Sequence, residues 1–278
     1  MAEWIEIEDG PAGERGRVRV DRRGTGPTAL LLVGGMTQTL ASWGGQLRPL
    51  SARRTAIAYE ARGQGMTALS LTDCSLAQHV RDFAALVPAL GLRAPVDLCG
   101  FSFGGRLALA VAAEAPQLVR KLVVCGVGLD RSIVARLIVQ GWIAALRTGD
   151  LEALARVSLP DIVGPDYLAA NEHLIEPMIR ASIERNRYDG VAALMHATQT
   201  LPPDSPWTTA ALARRVAAAG VPALCIGGAL DRLAAPDDVR ALAEVLGAEA
   251  VVLDRVGHTV AIEAAAAWRG AVEGFLDR

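Results

Sequence analysis

Short, continuous apolar runs recur along the chain, at residues 29–33, 55–59, 96–99, 121–125, 223–226 and 250–253, separated by longer stretches with helical periodicity. Strands buried on both faces need continuous apolar sequence, and helices between them imply right-handed crossovers into a parallel sheet. The start of the chain differs: residues 4–8 and 17–21 alternate apolar and polar positions around a Gly/Pro turn, the pattern of an antiparallel edge. The pattern predicts an α/β fold with a mostly parallel central sheet flanked by helices.

Between the fourth and fifth parallel runs the alternation stops. Residues 130–200 contain no strand-like run but show amphipathic helical patterning, as at 131–140 and 150–156. A structureless loop of that length is disfavoured in a compact domain. The expected organisation is therefore a core of residues 1–129 and 201–278 with a helical cap, or lid, at 130–200.

Composition narrows the function. With 51% hydrophobic and 21% charged residues the chain has the apolar content to fold by burial. The 28 Lys+Arg against 30 Asp+Glu leave a net charge of −2, no footprint for nucleic acid or an anionic membrane. A small-molecule substrate is the expected partner, and no feature points to an oligomeric state. The opening MAEWIEIEDG is acidic and alternating, unlike a secretory signal, and no uninterrupted run of about eighteen apolar residues occurs, so a cytoplasmic location is expected. Cys74, Cys99, Cys125 and Cys225 are widely spaced, with neither a disulfide pattern nor a CxxC pair. Neither a metal nor a cofactor is expected.

The run at 96–99 leads directly into Gly100-Phe-Ser-Phe-Gly-Gly105 and then into helical sequence. Gly-x-Ser-x-Gly at a strand-to-helix junction makes a sharp elbow that turns the serine outward, so Ser102 is the candidate nucleophile. A serine hydroxyl needs a base and the base an orienting acid. Two later strand ends offer them: Asp231, after Gly227-Gly228, and His258, after the last strand. Asp130 competes for the role of acid, but Asp231 is preferred because Asp-x-x-x-x-Pro opening a helix after Gly-Gly is the tighter match. His79, His173 and His196 are less suitable, lying before the elbow or inside the insertion. An oxyanion hole needs backbone donors. Phe103 follows the nucleophile, and Met36, after Gly34-Gly35, is the choice for the second N–H.

Together these residues resemble the α/β-hydrolase superfamily. The elbow is similar to that family's Gly-x-Ser-x-Gly-Gly, Gly34-Gly35-Met36 with Trp43 to its His-Gly-x loop and downstream Trp, and Glu60-Ala-Arg62-Gly-Gln-Gly65-Met-Thr67 to its Asp-x-Arg-Gly-x-Gly-x-Ser segment, while Gly257-His258 with Glu263 completes the set. Two positions depart: Gly34 stands where a His is usual and Glu60 where an Asp is usual. A Ser nucleophile disfavours the epoxide-hydrolase and dehalogenase branches. The resemblance implies a capped esterase, lactonase, methylesterase or thioesterase acting through an acyl-enzyme on a small to medium, largely apolar substrate, natural-product tailoring enzymes included.

Other readings stay open. The segment from Gly100 to Leu109 is also similar to the elbow of a menaquinone-pathway synthase that eliminates pyruvate instead of adding water, so an eliminase or acyltransferase is the alternative, and a non-catalytic scaffold a third. In that resemblance Arg106 holds a substrate carboxylate; a helix-flank residue paired with a surface acid is the plainer account. Gly35, Arg106, Trp142 and Tyr167 are the candidate substrate-binding residues. Leu137, Ile138, Leu159, Ile162, Met178 and Met195 suit either a pocket or helix packing.

Overall fold

The computed structural model describes residues 2–10, 13–199, 201–202 and 204–278. Eight strands form one sheet in the order β1-β2-β4-β3-β5-β6-β7-β8. They are β1 (Ala2–Glu8), β2 (Arg15–Arg23), β3 (Ala29–Val33), β4 (Thr55–Tyr59), β5 (Val96–Phe101), β6 (Val119–Cys125), β7 (Ala223–Gly228) and β8 (Glu249–Leu253). β1 pairs antiparallel with β2 and β2 with β4; the remaining pairings are parallel.

Apart from β8, which is half-buried at the sheet edge, the parallel strands are buried on both faces, and their side chains divide between two cores. Leu31 and Val33 of β3 point to one face, packed beneath α2 (Leu76–Ala89), α3 (Phe103–Glu114), α9 (Thr209–Ala218) and α10 (Pro236–Leu246). Leu30 and Leu32 point to the other, beneath α1 (Gly44–Leu50) and α12 (Ala265–Leu276). That division is why the strands read as continuous rather than alternating apolar sequence.

Between β6 and β7 the described residues contain no strand before Ala223. The chain instead forms α4 (Ile133–Leu146), α5 (Leu151–Ile162), α6 (Pro165–Ala170), α7 (Ile175–Glu184) and α8 (Tyr188–Gln199). Ser132 and Asp150 start α4 and α5 by accepting the N–H of Ala135 and of Glu152, satisfying donors that a helix start leaves unpaired. Thr200, the expected end of the cap, lies outside the described residues. After it, α9 rejoins the core against α3 and α10. No described helix is long and apolar enough to cross a membrane.

Candidate active site

Ser102 joins β5 to α3 with φ 53° and ψ −113°, a backbone conformation that costs about 1–3 kcal/mol in a residue with a side chain. Two glycines permit it. A Cβ on Gly100 would stand 2.1 Å from the Gly104 carbonyl oxygen, and one on Gly104 2.4 Å from that of Val33. The Ser102 N–H donates to Cys125 at 2.8 Å, anchoring the elbow to β6.

Asp231 follows β7, and His258 follows β8 with α11 (Val260–Glu263) behind it. His258 Nε2 lies 3.0 Å from Ser102 Oγ, and Nδ1 lies 2.6 Å from Asp231 Oδ2. The other Asp231 oxygen accepts the N–H groups of Leu233 and Ala234 at 2.8 and 2.9 Å. A carboxylate held in this way accepts a hydrogen bond from Nδ1–H, which leaves the Nε2 lone pair facing Oγ. The Phe101 ring packs against the imidazole at 4.8 Å. Asp130 is exposed, and its carboxylate accepts its neighbour's N–H, from Arg131.

On the opposite side of Ser102, Phe103 opens α3, so its N–H has no carbonyl one turn back to bond. Met36 lies in the turn after β3. A Cβ on Gly35 would stand 3.5 Å from Ser102 Cβ, so this turn passes beside the nucleophile.

Residues 28–265 match the alpha/beta hydrolase fold family. The chain belongs to this family. It is 27% identical over 246 residues to pyrrolizixenacetamide deacetylase of Xenorhabdus hominickii, covering 86% of this chain and 87% of that protein. It is 31% identical over 205 residues to 2-hydroxymuconate semialdehyde hydrolase of Pseudomonas putida, covering 73% and 69%. Among solved structures, the enol-lactonase of Burkholderia xenovorans shares the fold with a TM-score of 0.82 at 24% identity, covering 95% and 97% of the two chains.

In this α/β-hydrolase the two departures from the family pattern are absorbed locally. Gly34 lacks the usual imidazole, and two glutamines hold the loop after β3 instead: Gln38 Oε1 accepts the Gly35 N–H at 3.0 Å, and buried Gln64 donates to the Gly34 and Gly35 carbonyls at 2.9 and 2.7 Å. Glu60 is buried and accepts the N–H groups of Leu40 and Met66; burial pushes its carboxyl up from the ordinary value. Sequence reasoning missed both glutamines. Gln64 lies inside the Glu60–Thr67 segment, but its partners are thirty residues away.

Ser102 and His258 open into a cavity of about 730 Å³. Val139, Trp142 and Leu154 of α4 and α5, with Met195 of α8, supply an apolar wall. Trp142 faces this cavity and donates from Nε1 to Asp161. Gly35, Met36, Phe103 and Arg106 also line it. Tyr167 does not: it packs with Leu159, Met178 and Ile179 between insertion helices, because its face of α6 turns toward α5 and α7. Leu159 and Met178 belong to the same cluster, and Leu137 is exposed.

Arg106 is not on the outer flank of α3 and forms no ion pair with a surface acid among the described residues. It is enclosed by protein yet open to the cavity, with a buried Nε that has no hydrogen-bond partner among the described residues. Burial, with Arg131 beside it, pushes its guanidinium down to about 10, so it stays charged at neutral pH. Among the cavity's charged lining residues, three arginines, Arg106, Arg131 and Arg136, outnumber one aspartate, Asp130. No group of three or more His, Cys, Asp or Glu among the described residues is arranged to hold a metal ion.

Proposed function

We propose that this α/β-hydrolase is a serine hydrolase that cleaves an ester, lactone or thioester through an acyl-enzyme. The observation that carries the reading is the chain of contacts from Ser102 Oγ through His258 to Asp231 at the floor of the cavity. Ser102 Oγ attacks the substrate carbonyl carbon while its proton passes to His258 Nε2, and Asp231 stabilises the resulting imidazolium. The N–H groups of Met36 and Phe103 receive the oxyanion. The intermediate collapses, the C–O or C–S bond breaks, and the imidazolium proton goes to the leaving group. Water, deprotonated by His258, then attacks the acyl carbon, Ser102 Oγ leaves with that proton, and the free acid departs.

The relatives named as a deacetylase and a semialdehyde hydrolase support hydrolysis. The apolar wall favours a substrate of small to medium size with an apolar body. The cationic end around Arg106 favours one that also carries a carboxylate, because a guanidinium fork matches a carboxylate in two parallel hydrogen bonds. Helices α4 and α5 serve in this reading as a lid that excludes water from the acyl-enzyme.

A fluorophosphonate should add once, at Ser102, by intact mass and peptide mapping. Ester turnover in heavy-oxygen water should then place one solvent oxygen in the released acid. Absence of the adduct overturns the nucleophile. Label-free acid accompanied by a new carbon–carbon double bond replaces hydrolysis by elimination and leaves the triad in place.

A further inference from the structure

The loop that carries Met36 is held from behind by a side chain on a different part of the chain. Gln64 is 1% exposed and lies between β4 and α2. Its Oε1 accepts the Ala61 N–H at 2.9 Å, which fixes which end of the carboxamide donates. Its Nε2 then donates to Gly34 at 2.9 Å and to Gly35 at 2.7 Å. The Gly35 carbonyl also accepts the Gln38 N–H at 3.0 Å, and the Gly34 carbonyl the Gly104 N–H at 3.1 Å.

The Gly35 carbonyl and the Met36 N–H belong to one peptide group. A trans peptide is planar, and its C=O and N–H point in opposite directions. Gln64 Nε2 and the Gln38 N–H, both donating to this carbonyl, therefore turn the Met36 N–H away from them, in a turn that passes beside Ser102. The two glycines themselves place little restriction on the backbone, so that direction is set by such contacts, the Gly35 N–H donating to Gln38 Oε1 among them.

We infer that Gln64 is a positioning residue of the oxyanion hole, aiming the Met36 N–H at the oxygen that becomes negative when Ser102 attacks. The role rests on the acyl-enzyme reading above. Gln64 touches no reacting atom and acts through the Gly35–Met36 peptide. Misdirecting a single backbone donor weakens the transition state more than the bound substrate, so the loss falls on kcat rather than KM.

The test combines kinetics, a tetrahedral adduct and an observation on the unaltered enzyme. Gln64→Leu should lower kcat by about 10- to 100-fold with KM changed by about twofold or less. An aryl trifluoromethyl ketone, which forms an oxyanion adduct with the serine, should lose affinity by a similar factor. A role confined to stability would leave kcat and inhibitor affinity of the folded fraction near wild type, and that outcome overturns the inference. Should Gln64→Leu not fold, amide NMR of the wild-type protein decides: the Met36 N–H resonance should move downfield on adduct formation. Formation of the adduct at Ser102 with the Met36 resonance unmoved overturns the inference, and with it Met36 as an oxyanion donor, while leaving Ser102 as the nucleophile. Failure of any adduct to form at Ser102 overturns the acyl-enzyme reading with it.

Discussion

The Glu263 carboxylate accepts the Gly164 N–H at 2.9 Å, joining the insertion helices to the loop that carries His258. The same oxygen accepts the Gly257 N–H at 2.8 Å, and the other accepts both the N–H and the hydroxyl of Thr259, at 3.0 and 2.8 Å. The residues on either side of the imidazole thus share one acceptor with the turn between α5 and α6. Position of the base and seating of the insertion are mechanically linked through this side chain, with the Thr259 N–H also donating to the Ile162 carbonyl at 3.1 Å.

Glu263→Gln should expose that link. A carboxamide has one acceptor oxygen, so at least one N–H now faces an NH2 group. Leaving a part-buried donor unpaired costs about 1–3 kcal/mol. Thermal unfolding should show the loss, and kcat should fall in the folded protein because the His258 loop is less well held. A variant with wild-type kcat and melting temperature would remove Glu263 from the account.

Asp231→Asn should lower turnover by about 10⁴-fold without unfolding the chain. The backbone N–H groups of Leu233 and Ala234 hold one carboxyl oxygen. In the variant the amide oxygen takes that place and the NH2 group faces Nδ1, forcing the proton onto Nε2, where it blocks proton transfer from Ser102. Asp130→Asn, on an exposed side chain, should change turnover far less. Steady-state rates of the two variants decide between the acids.

Substrate charge should matter. If Arg106 binds a carboxylate, the half-ester of glutaric acid with p-nitrophenol should be cleaved with a kcat/KM at least about tenfold above that of p-nitrophenyl pentanoate, a charged hydrogen bond being large enough for that difference. Added salt should shrink the ratio, and Arg106→Gln should abolish it. Equal rates for the two esters in wild type would remove the carboxylate from the substrate while leaving the hydrolase reading untouched.

His79 predicts a pH dependence of stability that is separate from catalysis. Its ring is 1% exposed, packs edge-on against Phe103 at 5.2 Å and has no hydrogen-bond partner on either nitrogen among the described residues. Burial pushes it down to about 4 from an unfolded value near 6.5. Between those values the unfolded chain binds the proton and the folded chain does not. The stabilisation is therefore complete above pH 6.5 and is lost as pH falls toward 4, by about 3 kcal/mol. Urea unfolding of wild type and His79→Leu across this range should show a steeper fall in wild type; parallel curves would contradict it.

Read alone, the sequence determined the elements that depend on local pattern. Continuous apolar runs identified β3 to β8, since the inner strands, buried on both faces, leave no polar alternation, and Gly100 with Gly104 marked the elbow because backbone atoms approach where a Cβ would lie. Ser102, Asp231 and His258 were legible because each follows a strand end. Tertiary structure decided what periodicity cannot express. An amphipathic helix shows that one face is covered but not what covers it, so Trp142 reached the cavity while Tyr167 packed between helices. Arg106 could equally have met solvent or a cavity, since what encloses it comes from distant segments, Ser75, Ala197 and Trp207 among them. Gln64 and Glu263 do their work through backbone groups thirty and ninety-nine residues away, a proximity created when the sheet and the insertion close around the site.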